Sequence, residues 1–246
     1  MSILPADPLG EQRPSLTLLL RLSPYFRPLV RRASTVDWLV RAATFFLPVV
    51  FLAAVILQPW VEPKWMFLDP LTAAQLSGDC CHTHYGFVSM LGVMLWAMTA
   101  ATGLFAAVHL LATGFGGAVF RFALTAGLFN GWMALDDAFL VHETVMPSLG
   151  VPQNAVLMAY AGLAAAYFVS NRKVMLAGDV WLLIMGGTAL ATSVAVDTLF
   201  HSLDPRLVLL EDSAKFFGIF CWTAFHISTL AKITIAGSRS GEPDAR

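Results

Sequence analysis

An all-α, polytopic transmembrane helix bundle of six spans, with N-in/C-in topology, is the fold class that the sequence predicts. Composition argues for it first. Of 246 residues, 57% are hydrophobic and 13% charged, with a mean hydropathy of +0.70, whereas a soluble domain carries about 25% charged residues. Apolar runs of roughly 20 residues, enough to cross a hydrocarbon core of about 30 Å, recur along the chain. The Lys and Arg residues between those runs gather in alternate loops, as in cytoplasmic flanks.

Residues 1–41 read as a basic cytoplasmic N-terminal arm, because the short apolar run LTLLLRL is cut by Arg21 and followed by Pro24 and Pro28. No cleavable-signal pattern is expected there. Spans are expected at about 42–60, 85–112, 118–141, 154–170, 180–200 and 207–235, so that 42–235 forms the membrane domain. The fourth is the shortest and opens on Gln153 and Asn154. Residues 236–246 are expected to be a flexible cytoplasmic tail. Arg13, Arg21, Arg27, Arg31, Arg32 and Arg41 precede the first span. Arg121, the Arg172–Lys173 pair, and Lys232, Arg239 and Arg246 mark the other cytoplasmic flanks. The opposite loops offer Lys64 and Arg206. A multi-pass protein of the cell inner membrane follows, with Trp60, Trp65 and Trp181 as interfacial belt residues.

The formal charge of −1 says nothing about nucleic acid and no basic run suggests it, so no nucleic acid is expected and membrane lipid is the partner class. Cys80, Cys81 and Cys221 are too few for a disulfide framework, so free thiols or metal ligands are expected. The Gly-rich TGFGGA lacks the Lys and context of a phosphate loop and reads as a tight turn.

Ionisable residues inside such a chain need an explanation, since one charge at mid-membrane costs roughly 2.5–3.5 kcal/mol. With the topology above they converge on the outer side. ALDDAFLVHE places Asp136, Asp137, His142 and Glu143 at the end of span three, and SGDCCHTHYG brings His82 and His84 ahead of span two. VDTLFH adds Asp197 and His201, and LLEDSAK adds Glu211, Asp212 and Lys215. At about 100° per residue, Asp136 and Glu143 share a helix face, Asp137 shares one with Asn130, and His142 points elsewhere. Asp197 and His201 stack four apart, as do Glu211 and Lys215, in the favourable order for a helical ion pair. His226 continues the Glu211–Lys215 stripe three turns deeper. Plainer explanations compete. Hydration at a helix end would satisfy His142 and Glu143, and a hydrogen bond between neighbours would satisfy Asp197 and His201.

The leading expectation is a metal-dependent hydrolase acting on a lipid, amide or ester at the interface. Zn²⁺ would take ligands from Asp136, Asp137, His142, Asp197, His201 and His84. Glu143 or Glu211 would act as general base, and Lys215 would stabilise developing negative charge. In residue types, though without the HxxxH of a late helix, this set resembles the ceramidase-like superfamily of membrane hydrolases, which joins His and Asp around zinc. The first alternative is a proton- or cation-coupled carrier using the Glu211–Lys215–His226 stripe as a relay, with a homodimer supplying more than six spans. A non-catalytic membrane subunit is a further alternative. EDSAKFFG also resembles the Lys-bearing helix of retinal pigments.

Overall fold

The computed structural model describes residues 34–80, 82–114, 116–200 and 204–240. Every regular element among them is helical. Helix α1, Thr35–Leu57, starts ahead of the expected residue 42 because Ser34 and Asp37 form a capping box. The Ser34 hydroxyl accepts from the Asp37 N–H at 3.2 Å, and the Asp37 carboxylate accepts from the Ser34 N–H at 2.8 Å. Two orphan donors at the helix start are thereby satisfied.

The connection to the next long helix folds into two short ones, α2 (Pro63–Phe67) and α3 (Pro70–Ser77). Each opens on a proline, whose missing N–H costs nothing at a first helical position. Phe67, Leu68 and Ala73 are buried with Val88, Val208 and Phe216. The pair therefore lies as a cap over one end of the bundle.

The remaining long helices are α4 (Phe87–Ala112), α5 (Ala118–Phe139), α6 (Gln153–Ala177), α7 (Val180–Phe200) and α8 (Pro205–Ser240). Five helices, α1, α4, α5, α7 and the Arg206–Ile235 stretch of α8, are long and apolar enough to cross a membrane. α6 is less apolar, but at 25 residues it extends beyond the expected end at 170 and is about 37 Å long. α8 runs past 235 into what the sequence suggested was a tail.

The helices alternate in direction. At one end Arg41 meets Asp179, Lys232 meets Asp37, and Arg121 meets the Ser170 carbonyl. At the other end Asp137 meets Lys215, and Gln153 meets Asp197. α6 thus reaches from one end to the other, like its neighbours.

α8 is central, packing on α7, α4, α1 and α5, while α5 packs most broadly on α4. Glycines set these seams. A Cβ at Gly103 would lie 2.6 Å from the Gly127 nitrogen, and one at Gly218 would lie 2.9 Å from the Leu190 nitrogen. Small residues of this kind let backbones approach where lipid supplies no hydrophobic drive between helices. The outer faces are apolar. Phe105 is 72% exposed and Leu199 76%, a surface suited to acyl chains and not to water.

Candidate functional site

The site begins with a helix break. α5 ends at Phe139, and Leu140 adopts a left-handed conformation with φ 50°. Val141–Val145 then form a wider π-helical turn. This break returns His142 onto Asp136. The Asp136 Oδ1 accepts from the His142 backbone N–H at 3.0 Å and from the Tyr160 hydroxyl at 2.7 Å. Its Oδ2 lies 2.5 Å from His142 Nδ1. The helical-wheel expectation that Asp136 shares a face with Glu143 and that His142 points away is corrected here, because it assumed an unbroken helix. His142 Nε2 faces the half-exposed Glu143 carboxylate at 3.3 Å. Burial alone would favour the neutral imidazole, but the Asp136 and Glu143 carboxylates outweigh it and push His142 up to about 9.

Asp137 points to different partners. Its Oδ1 lies 2.9 Å from Lys215 Nζ on α8, and its Oδ2 accepts from Trp96 Nε1 on α4 at 3.0 Å. One carboxylate therefore ties three helices together. Lys215 pairs across the bundle with Asp137 of α5, where helical spacing had pointed to Glu211 within α8. A cavity of about 10 Å³ adjoins the pair, lined by Ser89, Gly92, Asp137, Asp212, Lys215 and Phe216 among others. That is about the room one water needs. Among the described residues, Asp212 makes no side-chain hydrogen bond and no ion pair, and acts on Lys215 only through space.

Below this level a buried polar column follows α8. Trp222 Nε1 donates to Asn130 Oδ1 at 2.8 Å. His226 Nδ1 lies 2.8 Å from the Trp222 carbonyl, and a carbonyl only accepts, so Nδ1 carries the proton. His226 Nε2 then accepts from the Tyr167 hydroxyl at 2.7 Å. Asn171 donates to the Tyr167 carbonyl at 2.9 Å and to the Thr125 hydroxyl at 3.0 Å, while its Oδ1 is buried without a partner among the described residues. Lys215 and His226 do share the interior face expected from their spacing.

The other expected ligands lie apart. Asp197 lines a polar pocket of about 260 Å³ with Gln153 and Asn154, accepting from Gln153 Nε2 at 3.4 Å. His84 stacks on His82 at a ring separation of 5.2 Å and meets Tyr85 edge-on at 4.9 Å. His82 bonds Asp79 at 2.8 Å, holding that exposed carboxyl below its usual range. Cys80 is disulfide-bonded, which corrects the free-thiol expectation for it. His201 and Cys81 lie outside the described residues. Among the described residues, no three His, Cys, Asp or Glu side chains are placed to share a metal. Asp136 and Asp137 spend their oxygens on organic donors instead.

Trp96, Tyr160, Tyr167 and Trp222 were not singled out from sequence, because aromatic residues in apolar runs read as lipid packing. The available signal was that a buried Trp N–H or Tyr O–H needs an acceptor. For Trp222 that acceptor is the neutral amide of Asn130, which a search for ionisable groups passes over.

Apolar helices enclosing an ion pair and a hydrogen-bonded column define a multi-pass α-helical membrane protein. The chain belongs to the family described as Domain of unknown function (DUF8692), whose model matches residues 42–229. Neither a curated protein nor a solved structure matches it.

Proposed function

We propose that the protein is a proton-coupled carrier of the cell inner membrane, with six spans and both termini cytoplasmic. One observation carries this reading: Asp212, a carboxylate with no ion pair among the described residues, shares a water-sized cavity with the Asp137–Lys215 pair. A lone ionised carboxylate inside a bundle is costly, and holding a proton removes that cost. Transfer of the Asp212 proton to Asp137 would release Lys215 to pair with the Asp212 carboxylate, giving two arrangements of one charge set. The His226–Tyr167 pair supplies the next donor and acceptor toward the cytoplasmic end. α6 serves as the sixth span, and a homodimer would enlarge the bundle available for alternating access.

Purified protein in proteoliposomes should move protons after a pH step. Asp212→Asn should slow that movement at least about tenfold, a barrier change of about 1.4 kcal/mol. Unchanged movement in Asp212→Asn, with the variant folded, overturns the reading.

A second reading, hydrolysis of a lipid amide or ester at the interface, draws on the Asp136–His142–Glu143 arrangement. An imidazole at about 9 is protonated near neutral pH, which suits a general acid and not a general base. Zinc is not carried into this reading, since among the described residues Asp136 bonds His142 and Tyr160, Asp137 bonds Lys215, and Asp197 and His84 lie apart from them. Turnover of lipid amides or esters that disappears in His142→Gln would favour it over the carrier.

A further inference from the structure

The charged cavity can be approached from the side. α1 packs on α8 and only loosely on α4, which leaves a groove of about 380 Å³ between them. Its walls include Leu47 and Phe51 from α1, Met94 and Met98 from α4, and Phe216 and Phe220 from α8, and none of its lining residues is charged. Phe216 also lines the Asp137–Lys215 cavity. One aromatic ring thus separates an apolar, laterally open groove from the Asp212 carboxylate. The volume lies in the range of about 300–1,000 Å³ typical of small-molecule sites.

Charge narrows the occupant. Asp137 and Asp212 face one ammonium, Lys215, in the cavity. An anionic head group would add to the acidic excess that appears once Asp212 gives up its proton, while a cation would complement it. The Phe216 ring adds an aromatic face of the kind that attracts ammonium groups. The geometry points to a lipophilic monovalent cation, a protonated amine or quaternary ammonium with an apolar body, that enters from the bilayer through the α1–α4 groove and exchanges for a proton at Asp212. This names the substrate class of the carrier proposed above and rests on that reading. The exchange balances simply. The Asp212 O–H bond breaks, its proton leaves to water, and the carboxylate so formed balances the charge of the incoming cation across the Phe216 ring; no electrons are transferred.

The test uses the full chain in lipid nanodiscs with tetraphenylphosphonium as probe and tryptophan fluorescence as readout, Trp96 lying beside Asp137. Expected results are saturable quenching, release of protons into weakly buffered medium as the probe binds, and loss of both in Asp212→Asn. Met94→Trp, at a position 64% exposed in the groove wall, should weaken binding about tenfold, or 1.4 kcal/mol. Dodecylamine should compete and laurate should not. Equal binding to folded Asp212→Asn, competition by laurate as strong as by dodecylamine, or no saturable binding each overturns the inference. If proton movement depends on Asp212 but the probe does not bind, the carrier stands and the lipophilic cation falls. If proton movement is independent of Asp212, the carrier itself falls.

Discussion

Asp136 and Asp137 are neighbours with different partners, and that difference organises the site. Asp136 holds His142 and Tyr160, while Asp137 holds Lys215 and Trp96. The first arrangement has a consequence in pH. His142 is raised from 6.5 to about 9 in the folded protein, so the folded state binds the proton more tightly than the unfolded chain. Its contribution to stability is fully present below about 6.5 and is lost as pH rises through about 9. The midpoint of thermal unfolding in detergent should therefore fall between those values, and His142→Gln should flatten that part of the profile. An unchanged slope in the variant would assign the pH dependence to other groups. Of these contacts, the sequence showed that the charges were present and gathered at one end. It did not show that Lys215 would choose Asp137, because the nearest acid by helical spacing was Glu211.

The helices were legible to within a few residues where hydropathy changes sharply, as at α4 and α7. They were misjudged where local chemistry overrides hydropathy. The Ser34–Asp37 capping box carries α1 into the expected arm. Leu140, a bulky residue at φ 50°, breaks α5 although LVHE continues an apolar helical pattern. Packing between helices is a sharper test of the architecture. A side chain at Gly218 must displace the Leu190 backbone on α7, and overpacking costs about 1–3 kcal/mol even where side chains can shift. Gly218→Val should lower stability by at least that amount in denaturation experiments, whereas Gly162→Val, which meets open space, should change it little. Similar losses at the two positions would argue against the close α7–α8 seam.

For the molecule as a whole, the number of spans turns on α6. It packs only lightly on α5 and α7 and is not among the five helices long and apolar enough to cross a membrane, yet it runs from the Asp197 end to the Arg121 end. If it crosses the bilayer, residues 148 and 173 lie on opposite sides. In a background without native cysteines, a membrane-impermeant thiol reagent applied to intact spheroplasts should label Ser148→Cys, and label Lys173→Cys only after lysis. Labelling of both from one side would reduce the protein to five spans and undo the assignment of both termini to the cytoplasm.

Hydropathy and the placement of Lys and Arg were enough to define a helical membrane protein and to gather Asp136, Asp137, His142, Asp197 and Lys215 toward one end, because those properties are sums over local stretches of chain. The partners themselves came only with the packed bundle. Whether Asp137 meets Lys215, whether His142 folds back on Asp136, and whether Asp212 is left without an ion pair among the described residues depend on three helices crossing at one depth and on a single backbone reversal at Leu140. Contacts that join side chains on different helices are not written in the periodicity of any one segment.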